Sequence, residues 1–337
     1  MGASEPPEAP PPLGSRKLEP KRQPDSVESE PHERSPYTEV SAPAQIQPGP
    51  NEPHIITPSH QLYHGDAIEV LKTLPDSSID AIISDPPYPE IDRDYGRFTE
   101  PEWHDLMHGV VDESRRVLTP KGSAVFILQP NFTAAGSMRT WLWEFMVWAG
   151  THHNIVQDAY WLNFAALPTG INQRTIGLMR SSIKYAVWIG PPDCNRYQDQ
   201  VLWKPSEAIK AADLNSRAVH HSPSGHTIRH GAMARAAMER GGTTPLNCLP
   251  IANTNSTSSG GAFGHGAATP IQLCAWWTRY LTKPGDTVLD PFTGSGTTGI
   301  AALEHARSFI GIERDPNYYE IARKRLQEAG SQNRLVF

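Results

Sequence analysis

Cysteine is scarce in this chain of 337 residues: there are three, Cys194, Cys248 and Cys274, with no paired spacing. That count excludes a disulfide framework and a clustered zinc site, and the thiols read as those of a reduced, intracellular protein. Long apolar runs are lacking too; none approaches the ~20 residues of a membrane helix. The N-terminus has no apolar signal core, and Pro6 stands where a myristoylation motif carries Ser or Thr. Neither secretion nor a membrane partner is expected. Positive charge is in deficit, with 30 Lys and Arg against 36 Asp and Glu, a net charge of −6. Spread evenly, that would argue against a nucleic-acid partner.

The charge is not spread evenly. Residues 1–53 hold 5 basic and 9 acidic side chains, a balance of −4. They also carry many of the 32 prolines, in runs such as SEPPEAPPPLG and QPGPNEP. Such a segment buries too little surface to offset its chain entropy, so a disordered tail is expected, with a proline-rich binding motif as the alternative. From Asn172 to Arg240 the balance reverses: ten basic against five acidic residues, +5.

Folded structure is expected from about His54, with 38% apolar residues to build a core. HQLYHGDAIEVLKTL reads as a strand, a turn at Gly65-Asp66, and a helix with Ile68, Leu71 and Leu74 on one face. IDAIIS reads as a buried parallel strand. Thr99 and Glu102 form a capping pair, with Pro101 in the first turn, for a helix whose stripe includes Trp103, Met107, Val110 and Val117. PKG is then a turn into the strand SAVFIL. Near the C-terminus, Thr269 caps a helix with Pro270 at its first position, and KPGDTVLDPF gives a turn and strand. A glycine loop and helix follow, then the strand SFIGIE and a helix capped by Asp315. Alternation of strand and helix predicts a doubly wound α/β sheet.

Gly294-Ser-Gly296-Thr-Thr-Gly299 matches the nucleotide-cofactor pattern G-x-G-x-x-G between a strand and a helix. Glu313, 14 residues past Gly299 at the end of the next strand, suits the two hydroxyls of a ribose. Asp290, just before the loop, would repel a pyrophosphate but attract a cation. A sulfonium cofactor is therefore favoured, and a nicotinamide or flavin oxidoreductase stands as the alternative.

SDPPYP, at Ser84 to Pro89, stops the strand IDAIIS abruptly. A carboxylate, prolines that fix the backbone and expose carbonyls, and an aromatic ring are the parts needed to hold a flat, amine-bearing base. They lie where open α/β sheets bind ligands.

These segments together resemble the DNA amino-methyltransferases that act on adenine N6 or cytosine N4. DPPY looks like the family's catalytic motif, and VLDPFTGSGTTGIAAL looks like its cofactor loop. FIGIERDPNYYEIARKRL is similar to its ribose-binding strand and helix. YHGDAIEVLKTLPDSSIDAIISDPPY resembles the approach to the catalytic motif, with Asp66 at an acid near the cofactor adenine. The catalytic motif precedes the cofactor loop, as in the family's β class. The match covers residues 55–190 and 265–328, about three-fifths of the chain.

The resemblance implies a mostly parallel, seven-stranded sheet of the S-adenosylmethionine-dependent methyltransferase type with a target-recognition insertion. Beyond the tail read from composition (1–53), it divides the chain into a catalytic half (54–190), an insertion (191–264) and a cofactor half (265–330). S-adenosyl-L-methionine is the implied cofactor and DNA the implied partner, with the base flipped out of the duplex. Asp85 and the Pro86 carbonyl would accept from the amine, Pro87 would hold the backbone, and Tyr88 would stack on the base. Asp290 and the loop residues Phe292, Gly294, Ser295, Gly296, Thr297 and Thr298 would hold the methionine part, Glu313 the ribose and Asp66 the adenine. A cognate restriction endonuclease, a homodimer and a prokaryotic or phage-host cytoplasm follow from the resemblance alone.

In the family, Asp before the prolines leans toward adenine N6 and Ser toward cytosine N4. Site-specific N6-adenine methylation is therefore expected, with N4-cytosine as the alternative; Pro89 departs from the Asn of many adenine enzymes. No cysteine follows a proline, which argues against carbon-5 methylation. A DNA-binding module without activity is a further alternative, against which the intact motif speaks. The basic, loop-rich insertion suits phosphate contact. His220, His221, His226 and His230 lack a spaced Cys partner, so no metal is expected. Trp161 and Asn163 are expected to border the base pocket.

Overall fold

The computed structural model describes residues 59–93, 96–134, 136–164, 179, 181–221, 223, 225, 227–253 and 269–333. The tail of residues 1–53, His226 and residues 254–268 lie outside them.

Its elements, in chain order, are β1 (His60–His64), α1 (Ala67–Leu71), β2 (Ile79–Ser84), α2 (Glu100–Val117), β3 (Leu118–Leu128), α3 (Trp141–His152), β4 (Ile155–Gln157), β5 (Tyr160–Leu162) and β6 (Ile183–Ile189). Then come α4 (Glu207–Lys210), β7 (Val219–His221), β8 (Thr227–Arg229), α5 (His230–Glu239), β9 (Cys248–Pro250), α6 (Ile271–Leu281), β10 (Thr287–Asp290), α7 (Thr297–Glu304), β11 (Ser308–Glu313) and α8 (Pro316–Asn333).

One sheet runs β1-β11-β10-β2-β3-β6-β5-β9, with β4 also on β6. The neighbours from β1 to β3 are parallel, β6 is antiparallel to β3, β4 and β5, and β9 is parallel to β5. The α/β class stands, with nine strands where seven were expected. The difference has two sources. β4 and β5 share the free edge of β6 as one broken strand, β4 against Ile189 and Trp188 and β5 against Tyr185 to Ile183. β9, paired with β5, adds a further position.

Side chains alternate across the sheet, as a strand's period of two requires. Ile82, Phe126 and Val187 face α1, α2 and α3 through Leu71, Trp103 and Phe145. Ala81, Ile83, Val125 and Trp188 face α6, α7 and α8 through Trp277, Leu303 and Leu326. The capping box of α2 is present: Glu102 accepts from the Thr99 N–H at 2.8 Å. Asp315 caps α8, accepting from the N–H groups of Asn317 and Tyr318 at 2.8 and 3.0 Å.

Three local expectations change. PKG is no turn: β3 begins directly after α2, and the register shift between Leu118 and Ser123 makes that stretch an irregularity inside the strand. Thr269 is no cap; α6 starts from Pro270, and the Thr269 hydroxyl is used elsewhere. Residues 191–264 are less loop-like than their composition suggests, since they hold the β7–β8 hairpin, α4, α5 and β9. Among the described residues no helix is long and apolar enough to cross a membrane.

β1 lies near the start of the described residues but pairs with β11 along its whole length, from His60–Phe309 to His64–Glu313. The turn carrying Asp66 is thereby delivered to the end of the sheet that holds the glycine loop. The order of strand succession reverses at the parallel β10–β2 seam: β10 leads to β11 on one side and β2 to β3 on the other. This is the switch point at which open α/β sheets form ligand clefts.

Candidate active site

A cavity of about 760 Å³ opens at the C-terminal ends of β1, β2, β10 and β11. Its wall includes Asp66, the DPPY residues Asp85 to Tyr88, Asp290, Phe292, Gly294, Ser295, Thr297, Thr298 and Glu313. Of the residues expected at the site, Gly296 alone stands behind the wall. It takes φ +83° as the N-cap of α7, and a Cβ there would lie 3.3 Å from Ala322. Gly299 is needed for a different reason: a Cβ would stand 2.6 Å from both Leu326 and Phe309, so glycine lets α7 sit close on β11 and α8.

The two motifs meet at the seam. Ser84 Oγ donates to Asp290 Oδ1 at 2.5 Å, and the Phe292 N–H donates to the same oxygen at 3.0 Å. Asp290 is 3% exposed. Burial pushes its carboxyl up to about 6, against the hydrogen bonds from Ser84, Thr298 and Phe292; the nearby Asp85 charge pushes the same way as burial. Glu313 accepts from the Gly294 N–H and the Asp315 N–H, each at 2.7 Å, and burial still raises its carboxyl above the usual range. Asp66 caps α1 with Oδ1, accepting from Ile68 N at 2.9 Å and Glu69 N at 3.2 Å. Arg325 of α8 donates to the Ser295 carbonyl and, at 3.0 Å, to its hydroxyl, bracing the loop from behind.

Donors surround Asp85. Tyr88 O–H donates to Oδ1 at 2.7 Å; Thr269 Oγ1 at 2.6 Å and Lys184 Nζ at 3.1 Å donate to Oδ2. The proline carbonyls divide their work. Pro87 accepts from Trp103 Nε1 and Pro89 from Asn131 Nδ2, each at 2.6 Å. The Pro86 carbonyl accepts no hydrogen bond among the described residues, which leaves it available to a ligand. Trp161 and Asn163 are on the cavity wall. His220 and His221 are exposed on the β7–β8 hairpin, and no group of His, Cys, Asp and Glu among the described residues could hold a metal ion.

The wall fits a cationic nucleoside cofactor better than a phosphorylated one. Two carboxylates, Asp290 and Glu313, stand at the loop where a dinucleotide would need anion-binding groups. Two buried polar atoms of the wall, Thr297 Oγ1 and Trp277 Nε1, lack a partner within the described residues, as ligand-binding groups do. The sequence gives Lys184, Thr269 and Ser84 no role in the site, although it marks Thr269 as a helix cap. Only a lysine within the apolar strand IKYAVWIG offered a signal.

Fold and cleft define a methyltransferase of the S-adenosylmethionine-dependent class. The DNA methylase family of the N6/N4 type matches residues 79–324, and the chain belongs to that family of DNA amino-methyltransferases, whose methyl donor is S-adenosylmethionine. The type II methyltransferase M.PvuII of Proteus hauseri is 26% identical over 283 residues, covering 79% of this chain and 83% of the relative. A solved PvuII DNA methyltransferase, cytosine-N4-specific, has a TM-score of 0.58 at 20% identity, covering 82% of this chain and 93% of its own. M1.HpyAVI, solved with S-adenosylmethionine, gives 0.50 at 21%, covering 79% and 98%. At these identities the two structures attest the fold.

Proposed function

We propose that this chain methylates the N6 amine of adenine within a specific DNA sequence. The observation that carries this is the meeting of Asp85 and Asp290 across the β2–β10 seam, in one cavity, through the Ser84–Asp290 hydrogen bond. Bound S-adenosylmethionine supplies an electrophilic methyl group on its sulfonium. Asp290 and the loop from Phe292 to Thr298 hold its methionine part, Glu313 the ribose, and Asp66 the adenine through the oxygen not engaged in the helix cap. The target base leaves the duplex stack to reach the cleft. Asp85 and the Pro86 carbonyl accept from its amine, Pro87 keeps that carbonyl in place, and Tyr88 stacks on the ring. The amine lone pair is thereby turned out of ring conjugation and toward the methyl group.

Residues 191–264 are the proposed target-recognition insertion, between a catalytic half (54–190) and a cofactor half (265–330). Pairing with a restriction endonuclease, homodimerisation and a cytoplasmic location belong to the same proposal. Asp85 at the head of the motif supports adenine. The likeness to the cytosine-N4-specific PvuII structure favours a second reading, N4-cytosine.

The test is single-molecule sequencing of DNA from methylation-deficient cells expressing the chain, beside an Asp85→Ala control. N6-methyladenine at one sequence motif, lost in the control, is the expected result. N4-methylcytosine would establish the second reading. Soluble protein with neither mark would overturn both. In vitro, Asp85→Ala should lower kcat at least about a hundredfold.

A further inference from the structure

Lys184 is an unusual occupant of its position. It lies in β6, opposite Trp161 of β5, and its strand neighbours on the same face, Ala186 and Trp188, are buried in the apolar core. Its side chain is 19% exposed and reaches the cavity, with Nζ 3.1 Å from Asp85 Oδ2. The ammonium also stands 5.2 Å from the centre of the Tyr88 ring and 5.1 Å from that of Trp161. It thus holds the space beside the Tyr88 face and one acceptor position of Asp85. Those are the two features a flipped base would use.

We propose that Lys184 is the base-reading partner of Asp85, donating to the ring nitrogen next to the target amine; this rests on amine methylation at Asp85. On its Watson–Crick edge adenine places the N6 amine, a donor, beside N1, an acceptor. Cytosine does the same with N4 and N3. A carboxylate acceptor and an ammonium donor 3.1 Å apart match that order. Guanine and thymine present the reverse order, a carbonyl beside a ring N–H. Each would set a carbonyl against Asp85 and an N–H against Lys184, two desolvated mismatches that reject the base. When the base enters, the ammonium moves from Oδ2 to the ring nitrogen, and the vacated position accepts from the amine. Thr269 and Tyr88 keep Asp85 oriented throughout.

The test pairs full-length wild type and Lys184→Met with two duplexes carrying the methylated sequence. One has the natural target adenine and the other 1-deazaadenine, which keeps the amine but replaces the ring nitrogen by C–H. Wild type should lose about tenfold or more in kcat/KM on the deaza duplex. Lys184→Met should lose a similar factor on natural DNA and nothing further on the deaza duplex. A wild type indifferent to the deaza base overturns the inference without any variant. So does a Lys184→Met that discriminates as strongly as wild type, the pattern a purely structural lysine would give. Calorimetric binding of S-adenosylmethionine checks that the variant is folded; if it is not, Lys184→Gln gives the same comparison. Wild type that leaves natural DNA unmethylated defeats the amine-methylation reading instead. If cytosine is the base modified, 3-deazacytosine replaces 1-deazaadenine in the same design.

Discussion

Asp290 shows how one residue can serve binding at the expense of stability. Its carboxyl keeps its proton to about pH 6 in the folded chain, against 3.8 ordinarily. Between those values the folded state binds more protons than the unfolded one, so stability falls as pH rises through that window. Once ionised, the side chain costs on the order of 3 kcal/mol. Asp290→Asn keeps an oxygen for Ser84 and Phe292. It should raise the melting temperature of the ligand-free protein by several degrees at pH 7.5, measured by calorimetry. The same variant should weaken S-adenosylmethionine binding at least about tenfold, because the cationic ligand loses its counter-charge. In wild type, affinity for that ligand should rise with pH through about 6, where the carboxylate forms. Asp290, Glu313 and Asp85 stand out in the sequence as candidates because they sit inside short, local motifs, and the cavity collects them. The contacts of Lys184 and Thr269 with Asp85 leave no such trace, since they span 99 and 184 residues. No spacing rule connects residues joined only by the closing of a sheet.

Close packing governs the elements. Gly299→Val would drive methyl groups into Leu326 and Phe309, where a Cβ alone would already stand at 2.6 Å. It should destabilise the chain by about 2 kcal/mol or more, read as a lower urea midpoint with an unchanged slope. α2 was legible because its capping box and its apolar stripe agree. α3 was not foreseen. Trp141, Leu142, Phe145 and Ala149 are buried on one face, yet Trp143, Met146, Val147 and Trp148 make the remaining faces equally apolar, so no period stands out. The β7–β8 hairpin and β9 leave no sequence pattern for another reason: three-residue strands are too short to show alternation.

At the scale of the whole molecule, the net charge of −6 conceals a +5 stretch between Asn172 and Arg240. DNA affinity should therefore fall at least about tenfold between 50 and 200 mM salt. S-adenosylmethionine affinity, set inside the cleft, should change little, and titrations of each ligand across that range would show the contrast. The rhythm of strands and helices made the doubly wound sheet legible, whereas the pairing of β1 with β11 could be seen only once the sheet was assembled.

That pairing, and the β2–β10 seam, also set a clock. β2 leaves the ribosome early, yet its partner β10 comes much later: the Asp80–Thr287 hydrogen bond joins residues 207 apart. Until then one edge of β2 is unpaired, and β1 waits longer still for β11. At about 5–20 residues per second of synthesis, the two motifs remain apart for roughly 10–40 s. A nascent chain of this kind carries its catalytic motif without a cleft, and acquires the means to modify DNA only as β10 and β11 emerge.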